Sequence, residues 1–193
     1  MGKPRILDFD IEARPLSWYG GDFVSKEVTA IAAKFIGTKG SPVVWALGEC
    51  ATEEMLAGFQ ALYDEADMVT GHFIRGYDLP VVNGALIEFG LPPLDQKLSS
   101  DTKLDLIKKS GWSTSQESLG AMLGLHHPKI SMSQSDWREA NRLSDAGIAK
   151  TKRRVIGDVN QHIELREALL DRGLLGKPRV WTPGSTGHGK YHA

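Results

Sequence analysis

Asp8, Asp10 and Glu12 stand at alternate positions of "RILDFDIEARP", residues 5–15. An extended strand sends residues two apart to the same face, so the three carboxylates share one side with Ile6 while Arg5, Leu7, Phe9 and Ile11 share the other. Like charges on one sheet face repel and are costly to bury. A divalent cation is the common reason to build such a face: Mg²⁺ takes one or two carboxylates together with substrate phosphates. Two such ions roughly 3.5–4 Å apart clamp the attacking and leaving oxygens of a phosphoryl transfer. A site of that kind needs further acids from other parts of the chain. Two candidates stand out. Asp78, in "VTGHFIRGYDLPVV", follows an expected strand and opens an expected helix. Asp158, in "RRVIGDVNQHIELREAL", interrupts a helix whose apolar stripe is Val155, Val159, Ile163, Leu169 and Leu170.

The elements that must position these acids follow from periodicity. Residues 5–13, 27–36 and 42–47 read as three strands joined by short turns at Gly20-Gly21 and "GTKGSP", an antiparallel meander. The period then lengthens. "TEEMLAGFQALYDEA" brings Met55, Leu56, Phe59, Leu62 and Tyr63 to one helical stripe, with Thr52 as the expected N-cap. A short strand in "DMVTGHF" precedes a helix in "LPVVNGALIEFG" that ends at Gly90, and "DTKLDLIKKSG" reads as a strand end followed by a short helix. Thr114 and Glu117 form a capping-box pattern ahead of Leu119 and Leu123. Residues 145–172 form one long expected helix, with Gly157 as a candidate break. Strands first, then alternating helices and strands, predict an α/β fold with a mixed sheet covered by helices.

The chain has 193 residues and a single cysteine, Cys50, and its net charge is −1. That size suits one domain with a short appendage. Residues 1–175 are the expected domain and residues 176–193 a basic tail rich in Gly and Pro. One cysteine excludes an internal disulfide and fits a reducing compartment. No run approaches the ~20 apolar residues of a membrane span. The expected setting is therefore cytoplasmic, with no membrane partner. The near-neutral charge leaves room for nucleic acid only through a local basic groove.

"FDIE", "GHFIRGYDLP" and "GDVNQHIELREAL", in this order, resemble the three motifs of the DEDD-type 3′–5′ exonucleases, the proofreading branch of the ribonuclease H-like superfamily. The resemblance spans residues 3–172. It implies a ribonuclease H-like mixed five-stranded sheet, three antiparallel strands and then parallel ones, flanked by helices. It also implies catalysis at Asp10, Glu12, Asp78 and Asp158, which would hold two Mg²⁺ or Mn²⁺ ions. The implied activity is hydrolysis of phosphodiester bonds from the 3′ end of DNA or RNA, with a single-stranded 3′ end as substrate. A polymerase or other replication partner and a bacterial or phage setting in replication or repair are further expectations of the same kind. Asp8 is an extra acid by this pattern, with a solvated or salt-bridged role weighed against an accessory metal role. Two positions depart from the pattern. His72-Phe73 stands where the family has His-Asn, and Arg154 stands where it has a Tyr that helps position the attacking water. His162, one turn beyond Asp158, is the candidate substitute base.

Arg154, Lys152 and Phe73 are the candidate nucleic-acid contacts, the first two from the run "KTKRR" beside Asp158. A solvated helix face is the alternative for that run. Lys177, Arg179 and Lys190 in the tail are candidates for electrostatic attachment, and Trp112 and Trp137 for stacking on bases, against plain packing. His126-His127 reads as a loop rather than a metal pair. Asp101 and Asp105 read as cap and surface acids. Two other functions compete with the nuclease: a nucleic-acid-binding accessory module of the same fold that has lost turnover, and a phosphodiesterase acting on dinucleotides.

Overall fold

The computed structural model describes residues 2–16, 25–107 and 111–184. The turn at Gly20-Gly21, the end of the short helix expected near Lys108 and the tail beyond Gly184, with Lys190, lie outside the described residues. Strands β1 (Ile6–Pro15), β2 (Lys26–Phe35) and β3 (Val43–Ala46) form the antiparallel meander. Helix α1 (Thr52–Glu65) leads to β4 (Met68–Gly71), and α2 (Asp78–Glu88) leads to β5 (Lys97–Asp101). Both of these strands run parallel to their neighbours, β4 beside β1 and β5 beside β4. Helices α3 (Gln116–Leu123), α4 (Gln134–Asn141) and α5 (Asp145–Asp171) follow. The order in the sheet is β3-β2-β1-β4-β5-β6. This is the α/β architecture expected of a ribonuclease H-like fold, with one more strand than predicted. That strand, β6 (Arg179–Trp181), comes from residues expected in the tail and pairs antiparallel with β5. Trp181 is its anchor, buried among the core side chains.

The alternation of β1 divides the molecule. Leu7, Phe9 and Ile11 enter the main core with Met55, Leu56 and Phe59 of α1 and Leu79, Val82 and Leu86 of α2. The acids point to the opposite face, which α5 covers. There the sheet presents Ala30, Ala32 and Ala46 to Val155 and Val159. Ala32 lies opposite Asp10, and Ala30 opposite Glu12. Small side chains beside the acids let α5 lie close to the sheet without filling the space in front of them. The β1–β2 register slips between Glu12 and Ala13, a bulge of the kind that re-aims side chains near sites.

Several local expectations shift. Ala51, not Thr52, caps α1, and Ser115, not Thr114, caps α3, its hydroxyl accepting from the Ser118 amide. The described residues 102–107 form turns rather than a helix. Helix α4 had no counterpart in the periodicity; a capping box between Ser133 and Asp136 starts it. Helix α5 is unbroken at Gly157. A Cβ there would lie 3.3 Å from the Ile130 side chain, so this glycine gives the loop before α4 a seat on α5.

Candidate active site

Strand β1 and helix α5 together build the acidic centre. Ligand oxygens of Asp10, Glu12 and Asp158 all lie within 4.8 Å of one another. Asp78 stands beside them at the start of α2, its Oδ1 accepting from the Ile11 amide at 3.2 Å. Its charge reaches Asp10 strongly enough to raise that carboxyl's pKa. Burial, followed by repulsion from Asp78, Asp158 and Glu12, pushes Asp10 well above the usual carboxylate range. Asp78 is pushed up to about 7, mainly by burial, against the hydrogen bond from Ile11. Glu12 and Asp158 are also raised by burial, with Arg154 and Lys129 opposing the shift. Crowded, half-buried carboxylates with raised pKa values mark functional sites more often than structural ones.

The donor set fits a hard divalent cation. It is all oxygen, it is acidic, and Asp158 Oδ1 is buried without a hydrogen-bond partner. Asp10, Glu12 and Asp158 are the residues placed to share one ion, with Asp78 flanking them.

The candidate nucleic-acid contacts fall in three different places. Arg154 lies on the acids: Nε donates to Glu12 Oε1 at 2.5 Å, NH1 donates to the Ile130 carbonyl at 2.6 Å, and NH2 is 3.9 Å from Asp158 Oδ2. Its guanidinium also sits over the Trp137 ring, 5.3 Å from the centroid. Lys152, by contrast, pairs with Glu49 at 2.6 Å. Phe73 takes a left-handed backbone, φ 72°, in the loop before α2, with the Lys103 ammonium 4.1 Å from its ring centroid.

His162 is buried, and both of its ring nitrogens are engaged. Nδ1 is 2.6 Å from Asp8 Oδ2, and Nε2 is 2.9 Å from the Thr102 hydroxyl, which is itself 2.9 Å from His72 Nδ1. Asp8 is therefore neither solvated nor part of the acidic cluster. It is fully buried and hydrogen-bonded to the His162 imidazole, two positions along the strand from Asp10. His72 is held neutral, its pKa pushed down to about 3 by burial and by His162.

Asp101 and Asp105 are not surface acids. Asp101 accepts from the amides of Phe73, Arg75, Lys103 and Leu104, all at 3.0 Å, and so shapes the loop that delivers Asp78. Asp105 holds the buried Arg75 guanidinium through both oxygens. His126 and His127 lie on a loop tied down by Glu164, which accepts from both their amides at 2.9 and 3.2 Å.

Lys129 is the functional candidate that sequence reasoning missed. Its Nζ is 3.3 Å from Asp158 Oδ2. A cavity of about 260 Å³ opens beside it, lined by Glu117, Lys129, Ser131, Met132, Trp137 and Arg154. Its only sequence signal is a lone lysine in "HHPKISM", which carries no spacing pattern.

Comparison with known protein families gives no match, and neither does comparison with curated proteins. Solved structures do match. One is the family B DNA polymerase from the hyperthermophilic archaeon Pyrobaculum calidifontis, with a TM-score of 0.67 and 19% identity. The match covers 88% of this chain and 25% of that one, so the domain corresponds to a quarter of the polymerase's length. At that identity the likeness is one of fold. Among the described residues no helix is long and apolar enough to cross a membrane.

Proposed function

We propose that this domain is a metal-dependent 3′–5′ exonuclease that hydrolyses phosphodiester bonds at a single-stranded 3′ end of DNA or RNA. One observation carries the reading. Carboxylates from residues 10, 12 and 158 meet within 4.8 Å, with the charge of Asp78 felt at Asp10, although the chain has no local reason to gather them. The fold shared with a DNA polymerase supports nucleic acid as the substrate class and a polymerase or other replication protein as partner.

Asp10 occupies the centre of the acids and would share two Mg²⁺ or Mn²⁺ ions. Glu12 and Asp158 would complete one site, and Asp78 the other. When bound, such ions acidify the attacking water and neutralise charge on the departing 3′ oxygen. The protein's own part is to hold the acids in register, while burial works against their ionised forms. The Ile11 amide orients Asp78, and Arg154 fixes one oxygen of Glu12. Among the described residues the candidate base is not free for the acids: His162 is held by Asp8 and Thr102, and Arg154 stands at the Tyr position.

The cations already on the acids, Arg154 and Lys129, favour a second reading, an accessory module that binds strands without cutting them. Incubating the protein with a 3′-labelled single strand separates the two. Shortening from the 3′ end in Mg²⁺ or Mn²⁺, abolished by chelator and reduced at least about a thousandfold in Asp10→Asn, is the expected result. Tight binding of the strand with no shortening in either metal would establish the accessory reading instead.

A further inference from the structure

Two cations serve one carboxylate oxygen. Lys129 Nζ and Arg154 NH2 lie 3.3 and 3.9 Å from Asp158 Oδ2. They are held very differently. Arg154 is fixed by Glu12, by the Ile130 carbonyl and by the Trp137 ring. Among the described residues Asp158 is the carboxylate within ion-pair distance of the Lys129 ammonium, which acts on Glu12 and Asp10 only through space, and its side chain is 26% exposed against 3% for Asp158. The backbone around it is anchored by Glu164 on one side and by Arg154 on the other, so the freedom belongs to the side chain. The cavity of about 260 Å³ that Lys129 lines lies next to this contact. It is smaller than the roughly 300–1,000 Å³ of sites for drug-sized ligands, which suits a single nucleotide unit.

We propose that Lys129 is a displaceable counter-ion: it holds Asp158 while the site is free of metal, and moves into the cavity to contact the substrate phosphate once a divalent cation takes Asp158. The inference rests on the nuclease reading. Its physical basis is that an ammonium and a divalent cation on the same small carboxylate repel each other, and lysine's flexible stem is the part that can yield. Charge supports the destination as well. Four carboxylates are matched by two divalent ions, which leaves Arg154 and Lys129 as two positive charges against the one carboxylate, Glu117, that lines the cavity with them. A phosphodiester carries one negative charge, and the species formed when water adds to phosphorus and gives its proton to bulk solvent carries two, until the 3′ oxygen leaves. Contacts from the cations to the phosphate strengthen as that charge develops, so they favour the transition state over the ground state.

The test is Lys129→Met, with Lys129→Arg as the charge-preserving control, read by two measurements that a merely structural lysine would not move in opposite directions. Calorimetric titration with Mn²⁺ alone should show about tenfold tighter binding in Lys129→Met, because a competing positive charge is gone. Its kcat on a 3′-labelled strand at saturating Mn²⁺ should fall about a hundredfold. Lys129→Arg should restore most of both. Mn²⁺ binding that is unchanged or weaker in Lys129→Met would overturn the displacement. A kcat that is unchanged or higher would overturn the phosphate contact, showing the lysine to be an inert or inhibitory plug. If the unaltered protein binds Mn²⁺ but shortens no strand, the nuclease reading itself fails, a result separate from both of these. Circular dichroism reports separately whether each variant is folded.

Discussion

Asp8 and Asp10 are the same residue type, two positions apart on the same strand face, yet their surroundings are opposite. Asp10 faces other acids, while Asp8 faces the His162 imidazole at 2.6 Å with no exposure to solvent. Burial raises the Asp8 pKa, and His162 offsets part of the shift. Removing one member of such a pair leaves the other buried without compensation, so Asp8→Ala and His162→Ala should each cost about 3–5 kcal/mol. The double variant should recover a measurable part of the summed loss, since the two residues are in direct contact. Urea denaturation of the four proteins of this cycle gives the coupling. Fully additive losses would mean that the two side chains are not partners. Asp8→Asn keeps an acceptor for the imidazole and should retain metal-dependent cleavage.

Among the elements, the loop between β4 and α2 shows how the site depends on distant chain. It carries Phe73 with φ 72°, a backbone conformation unfavourable for a residue with a Cβ. Asp101, at the end of β5, stabilises it by accepting from the Phe73 and Arg75 amides, while the Lys103 and Leu104 amides hold the Asp101 carboxylate in place. The loop continues directly into Asp78, the first residue of α2. Asp101→Ala should therefore lower stability by about 3 kcal/mol through unsatisfied buried amides. It should also weaken Mn²⁺ binding, although Asp101 is not among the gathered ligands. Asp101→Asn, which keeps one acceptor oxygen, should lose less of both. Chemical denaturation combined with Mn²⁺ titration checks this; Mn²⁺ binding untouched in Asp101→Ala would show that the loop does not position Asp78.

Across the whole molecule, the acidic centre sets how stability responds to pH. Asp10, Glu12, Asp78 and Asp158 all have pKa values raised in the folded chain. A carboxyl with a raised folded pKa binds its proton more tightly folded than unfolded. Its contribution is present at low pH and is lost as pH rises from the unfolded value toward the folded one. For Asp78 that window runs from 3.8 to about 7. The metal-free protein should thus melt at a lower temperature at pH 7.5 than at pH 5, and Mn²⁺ should raise the midpoint far more at pH 7.5. Asp136, held down to about 2 by Lys150 and Ser133, works in the opposite sense only below the ordinary carboxylate range, and His72, pushed down to about 3, opposes the trend up to its ordinary 6.5 as one imidazole against four carboxyls. Thermal melts with chelator and then with Mn²⁺ at the two pH values test the prediction. A metal-free midpoint that rises from pH 5 to 7.5 would contradict it.

The sequence alone determined the properties that belong to a single element. Alternation in β1 placed Asp8, Asp10 and Glu12 on one face and the apolar residues on the other, because the two-residue period of a strand is local geometry. The apolar stripe of α5 likewise set which side of the helix meets the sheet, and with it the direction of Asp158. The order of strands and helices carried the mixed sheet. What each side chain would meet was decided only by the tertiary structure. No pattern within β1 distinguishes Asp8 from Asp10, since the difference lies in what α5 brings to each, His162 to the first and Asp158 to the second. Gly157 resembles a break until Ile130, from another segment, is seen packed on it. Lys129 reaches Asp158 from a loop without periodicity, and Arg179–Trp181 joins β5 across some 80 residues of chain. Contacts of that kind arise from how elements pack, and neither propensity nor spacing along the chain encodes them.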